Sequence, residues 1–132
     1  MSLSNDAEVK VLNHIFRNAE AVYTPGAQYI SLHTGNPGEA NDGGNEVSGY
    51  NYARVLSSDK FGAAADGEIA TDTDITFPTA TGGSWGQVTH IGIYDASEAG
   101  NLVAYGTLTV PKTITDGDTF VITSGNLTIT LN

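Results

Sequence analysis

The chain reads as an all-β protein: a β-sandwich or open barrel of six to eight short antiparallel strands with one N-terminal α-helix. Three observations predict this. Short apolar runs alternate at period two. Turn signals recur every eight to twelve residues. Glycine is abundant (16 residues), with much Thr, Ser, Asn and Asp and only 15% charged residues, the balance of short strands joined by tight turns. A helical bundle needs more Leu, Glu and Lys. The 132 residues suit a single domain, 1–132, with a helical segment over 1–24 and a β-sandwich over 25–132.

The helix is expected from residue 5 to about 20. Asn5 with Glu8 three residues on fits a capping box. Val9, Leu12, Phe16 and Ala19 step by three and four along one face, with Ile15 beside them, while Glu8, Lys10, Asn13 and Arg17 take the other. Thr24-Pro25-Gly26 ends the segment. Such a stripe is expected to lie against the sheet or against a neighbouring subunit. Residues 28–34 then alternate, with Ile30 and Leu32 inward and Ser31 and His33 on the other face. A polar loop follows from Gly35 to about Tyr50. A loop of that length in a compact domain is usually functional or mobile.

Short strands are expected over Tyr52–Leu56, around Ile69 and over Asp74–Phe77, the last closed by Pro78. The principal strand runs from Trp85 to Asp95. Thr89, Ile91 and Ile93 fall on one face and Val88, His90, Gly92 and Tyr94 on the other, so both faces carry bulk and the strand belongs in the middle of a sandwich. Leu102 to Val110 is a further strand, with Leu102, Ala104, Leu108 and Val110 on one face and Pro111 ending it or marking an edge. Asp116-Gly117 is a two-residue hairpin signal. Thr119–Thr123 and the alternation of Leu127, Ile129 and Leu131 complete the set.

Charge excludes several functions. Fifteen acids against five bases leave a net charge of −10. Lys10, Arg17, Arg54, Lys60 and Lys112 are too scattered for a nucleic-acid footprint or for attraction to an anionic membrane. A basic protein partner suits the acidic surface better. The absence of cysteine removes disulfides and thiolate metal sites. Residues 1–8 lack the basic and apolar regions of a signal peptide, so the chain is expected in the cytoplasm until it is assembled or released.

No residue set marks an enzyme. No serine lies in a Gly-x-Ser-x-Gly elbow. His14, His33 and His90 lack metal-site spacing and read as structural. Asp72-x-Asp74, Asp116-x-Asp118 and the cluster Asn41, Asp42, Asn45, Glu46 are oxygen-rich, but they match no calcium loop and Asx turns account for them. No cofactor is expected. Tyr50, Tyr52 and Trp85 admit a carbohydrate platform or an interface anchor, whereas a core cap is the reading preferred for Trp85.

Several segments follow one another in an ordered series: Ser31-Leu-His-Thr-Gly35 with Pro37-Gly38, Asn45-Glu-Val-Ser-Gly49, Tyr52-Ala-Arg54, Ile75-Thr-Phe-Pro78, Trp85-Gly86, Thr89-His-Ile-Gly-Ile-Tyr-Asp95, Gly106-x-Leu108, Pro111-Lys112 and Gly117-Asp118. Their order and spacing, from about Ser31 to the C-terminus, resemble a family of small tailed-bacteriophage virion structural proteins of the tail, tail-fibre-like or head-decoration kind. The resemblance implies a non-enzymatic homo-oligomer on the particle, partnered by other phage virion proteins. It implies a tail or fibre-attachment component, or alternatively a capsid decoration protein. A carbohydrate-binding module recognising a host surface glycan is the rival of another class. Val9, Leu12 and Phe16 on the helix and Asn45, Glu46, Tyr50 and Tyr52 in and beside the long loop are the residues expected to meet partners.

Overall fold

The computed structural model describes residues 1–18 and 23–131. Among these the chain forms β1 (Ser2–Leu3), α1 (Asn5–Phe16), β2 (Tyr29–His33), β3 (Val55–Leu56), β4 (Glu68–Ala70), β5 (Ile75–Thr76), β6 (Gly86–Tyr94), β7 (Leu102–Ile114), β8 (Val121–Ile122) and β9 (Thr128–Thr130). That is nine strands, one more than the largest expected number, because β1 precedes the helix. Five of them make an antiparallel sheet in the order β1-β7-β6-β2-β3. Two antiparallel ribbons, β4–β9 and β5–β8, complete an all-β, sandwich-like fold with no closed barrel.

β6 is the middle strand of the five-stranded sheet, as its two apolar faces require. Ile30 and Ala104 flank Ile93, and Leu32 lies opposite Ile91. This face meets Ile75, Phe77, Phe120, Ile122 and Leu127 in one core. Phe77 and Phe120 pack edge to face at 5.7 Å. Each buried Ile or Leu contributes roughly 1.5–3 kcal/mol by leaving water. Trp85 caps this core at the entrance to β6, with its indole N–H donated to the Tyr50 carbonyl at 3.0 Å.

The ladder between β6 and β7 is interrupted. Val88 pairs with Lys112, yet His90 pairs with Thr107, so β7 advances five residues while β6 advances two. Pro111 lies in the interruption and has no N–H to give to a ladder. The odd offset reverses the alternation. Val88 therefore joins Ile91 and Ile93 in the core instead of facing away from them. Val110, expected inward with Leu102 and Ala104, is exposed. Pro111 does not end the strand, which continues to Ile114. Asp116-Gly117 makes a turn, with Asp118 N–H bonded to Thr115 O at 2.9 Å, but not a hairpin: β8 pairs with β5 and not with β7.

The helix begins one residue earlier than a capping box at Asn5 requires. Ser4 is the N-cap: its hydroxyl oxygen accepts from Ala7 N–H at 3.2 Å and its O–H donates to Leu102 O. The buried serine thus ties the helix start to β7, which Asn5 at the cap position does not do. The helix ends at Phe16 rather than near residue 20, with Arg17 N–H closing on Asn13 O at 2.9 Å and Asn18 left-handed at φ 53°. Ala19, expected on the apolar stripe, lies outside the described residues.

Candidate functional site

Two regions carry the residues expected to meet partners. The first is the loop between β2 and β3. Its packing begins on the second face of the sheet, where Ser31 and His33 are fully buried, not turned to solvent. The Nδ1 of His33 faces the Gly44 carbonyl at 3.3 Å and must donate to it, which leaves Nε2 to accept from the Ser31 hydroxyl at 2.8 Å. Burial pushes the His33 pKa below its ordinary value, with the Arg54 and His90 charges acting in the same direction, against the Gly44 bond and Glu46. The Ser31–His33 pair has the reach of a nucleophile and base, but both side chains are fully buried beneath the loop. His90 is the cross-strand partner of His33, and its Nδ1 is 2.8 Å from the Thr89 hydroxyl.

Arg54 holds the loop down. Its side chain is 6% exposed. Nε donates to Glu46 Oε2 at 2.8 Å, one terminal nitrogen donates to Glu46 Oε1 at 3.0 Å, and the other donates to the carbonyls of Ala96 and Ala99, each at 2.8 Å. The guanidinium lies 3.8 Å from the centre of the Tyr94 ring, which stacks on His33 at 6.1 Å. The Tyr94 hydroxyl donates to Asn41 at 2.6 Å. The Tyr52 hydroxyl accepts from Leu32 N–H at 3.0 Å and donates to Glu46 at 3.4 Å. Burial first, then Glu46, pushes the Tyr52 and Tyr94 phenols upward. Val47 N–H bonds to Leu32 O and Thr34 N–H to Asn45 O, so residues 45–47 cover the edge of β2 beyond the two-residue β3.

Two of the expected contact residues are half-buried and engaged within the chain. Glu46 serves Arg54, and the Tyr52 ring sits against Phe77 at 6.5 Å and Trp85 at 5.4 Å. Asn45 and Tyr50 are exposed. Tyr50 is held with φ at 50°, its ring over the Gly82-Gly83 turn; a Cβ on Gly83 would stand 2.4 Å from that ring. A three-ring sugar platform does not form, because Tyr52 and Trp85 lie in or against the core and only Tyr50 faces solvent. Arg54 was missed as a hub in the sequence reading. The signal was there: Tyr52-Ala-Arg54 sets the two side chains on one face of an extended segment, downstream of a lone glutamate.

The acidic clusters cap turns. Asp74 accepts from Ser124 N–H at 2.7 Å, Asp116 from Gly82 N–H at 2.9 Å and Asp118 from Thr115 N–H and hydroxyl at 2.9 Å. No group of three His, Asp or Glu side chains that would hold a metal occurs among the described residues.

The second region is the outer face of α1. Ala7 is the helix's one buried residue among those described, and Val11 is half-buried over it. The stripe of Val9, Leu12, Ile15 and Phe16 points away, 57–76% exposed. The helix does not float, however. The Asp6 carboxylate meets Lys10 at 2.8 Å and accepts from the Tyr23 hydroxyl at 2.8 Å, while Lys10 lies over the Tyr23 ring at 4.6 Å. Burial works against the Asp6 charge, but the Lys10 and Tyr23 bonds outweigh it and hold the carboxyl below its usual range. Beside the stripe, Leu3, Val11, Leu12 and Leu131 line an open groove of about 360 Å³. Leu131 is itself exposed.

A rigid β core, a pinned loop and an outward apolar helix are surfaces that can bind. No curated protein matches the chain. The family described as Podophage GP4 fiber I protein gp80 matches residues 2–130, and so takes in the N-terminal helix that the resemblance from Ser31 onward left outside. Over nearly its whole length, then, the chain belongs to the podophage GP4 fibre I protein family, a phage virion structural family of the tail-fibre kind.

Proposed function

We propose that the protein is a non-enzymatic tail or fibre-attachment component of a tailed-phage virion, made in the host cytoplasm and built into the particle as a homo-oligomer. The observation that carries this reading is the unburied stripe of Val9, Leu12, Ile15 and Phe16, four exposed apolar side chains on one helix of a virion-family chain. Exposed apolar stripes of this kind serve association. The fibre family favours the tail side over capsid decoration. Neither nucleic acid nor an anionic membrane suits a surface of net charge −10. A host glycan would have Tyr50 as its one exposed aromatic of the expected three. The Asn45–Tyr50 end of the loop is a second contact surface, presented rigidly by Arg54.

Immunogold labelling of purified particles tests the location. Label confined to the tail or its tip is expected. Label spread over heads replaces the reading with capsid decoration, and no label on particles with an accessible epitope removes it. Leu12→Asp and Phe16→Asp are expected to lower incorporation into particles without shifting the thermal transition of the free protein, since both side chains already stand in solvent.

A further inference from the structure

We propose that His33 is the latch of an acid-sensitive strap: when its imidazole takes a second proton, the loop segment 38–46 lifts off the second face of the sheet while the β core stays folded. The neutral ring is what fastens the segment.

Three parts of the fold close on this ring. β2 supplies Ser31, whose hydroxyl stands 2.8 Å from Nε2. β6 supplies Tyr94, stacked on the ring at 6.1 Å, and His90, the cross-strand partner. The loop supplies the Gly44 carbonyl, 3.3 Å from Nδ1, and Glu46, bridged to His33 through the backbone. A further cation stands near: the Arg54 guanidinium is 3.8 Å from the centre of the Tyr94 ring. The whole residue is 0% exposed.

A second proton upsets this arrangement in two ways. It gives Nε2 an N–H, so the Ser31 hydroxyl must turn from donor to acceptor and its own proton loses the ring as acceptor. It also places a cation where water is withheld and where Arg54 and His90 already oppose it. The carboxylate that favours the charge, Glu46, is engaged by three bonds from Arg54 and one from the Tyr52 hydroxyl.

The sheet is unable to yield, and the loop is free to. On the sheet side Gly92 lies so close that a Cβ there would stand 2.9 Å from Nε2. On the loop side, Thr34 N–H reaches Asn45 O at 2.8 Å in a single backbone bond. The segment lies between two buried residues, Pro37 and Val47, and Gly38 at φ 82° and Gly44 at φ 64° are its pivots. Lifting it brings the ring into water, where the imidazole titrates at its ordinary 6.5. The open form therefore binds the proton more readily than the closed form, and acid favours opening. Release bares the β2 edge at Thr34 and displaces the exposed Asn45.

Amide exchange on the full folded chain, corrected for the intrinsic effect of pH, reads the opening through Thr34 N–H. Its protection is expected to fall about three- to ten-fold between pH 7.5 and 5.5, about ten-fold being the ceiling for one group that titrates at 6.5 only when open. That exchange should be insensitive to low urea, whereas β6 amides exchange through a urea-dependent opening. His33→Gln keeps a donor and an acceptor without a charge and is expected to abolish the pH step at Thr34; His90→Gln is expected to keep it. In wild type the resonances of Gly44, Asn45 and Glu46 should move with the midpoint of the His33 ring, a readout that needs no variant to fold. Thr34 protection indifferent to pH, Thr34 exchange only by the urea-dependent route, a step that survives His33→Gln, or loop resonances that follow another histidine would each overturn the proposal.

Discussion

Arg54 makes contacts that no other cation matches among the described residues: three bonds to Glu46, two to backbone carbonyls and one aromatic face. Removing one partner of a buried pair strands the other charge and its desolvated neighbours, a loss of about 3 kcal/mol or more. Arg54→Ala is expected to lower the urea midpoint by that measure, and Arg54→Lys to recover only part of it, because an ammonium cannot present the planar fork. A loss under about 1 kcal/mol would refute the hub. Gly92 is equally constrained. A Cβ there would stand 2.7 Å from Ser31 Oγ and 2.9 Å from His33 Nε2. Gly92→Ala should therefore cost roughly 1–3 kcal/mol by overpacking. His33 adds a pH dependence of known sign. Its folded pKa lies below the ordinary 6.5, so the unfolded chain binds the proton more readily. The stability this group gives is complete above pH 6.5 and is lost as pH falls through the folded value. Thermal transitions of wild type and His33→Gln, compared between pH 7.5 and 5.5, should show the steeper decline in wild type; parallel curves would exclude His33 as the source.

At the scale of elements, the loop and the helix share one device: a polar side chain fastens a backbone that has few apolar contacts of its own. Ser4 caps α1 and also bonds to β7 through Leu102. Ser4→Ala should cost about 1 kcal/mol for the cap, with a visible loss of helical circular dichroism; an unchanged spectrum would show that Tyr23 and Asp6 suffice. The polar loop from Gly35 to about Tyr50 reads from sequence as functional or mobile. In place, Val47 is in the core and residues 45–47 close the edge of β2. The loop thus holds the exposed Asn45 and Tyr50 on a backbone fixed by these bonds.

For the whole molecule, the governing quantity is a net charge of −10, of which α1, with Asp6, Glu8 and Lys10, carries only −1. Two copies repel over most of their surface, and salt screens that repulsion within about 10 Å at 0.1 M. Exposed ion pairs between copies are worth only about 0–1 kcal/mol each, so their screening costs less than the relief of repulsion. Self-association is therefore expected to strengthen between 50 mM and 500 mM NaCl, read by sedimentation equilibrium. Weakening with salt would mean that ion pairs, and not the Val9–Leu12–Phe16 stripe, hold the copies together.

Period-two alternation and turn chemistry by themselves determined the all-β class, the central place of the Trp85–Asp95 segment and the apolar stripe of the helix, because these depend on neighbours within a few residues. The same reasoning located Trp85 in the core, and the ordered motifs from Ser31 onward identified the family. Only the tertiary structure decided which way that stripe faces, that Glu46 pairs with Arg54 and the Tyr52 ring packs against Phe77 and Trp85, that Val88 shares a core with Ile91, and that Ser4 is the cap. Each of those depends on an element far away in the chain: β7 beneath the helix, the Ala96–Ala99 turn over Arg54, Lys112 and Thr107 across from β6. A stripe records that a helix has an apolar side. Whether that side is buried is settled by the surface it lands on, and α1 lands on β7 through Ala7 and Val11, which leaves the larger side chains facing out.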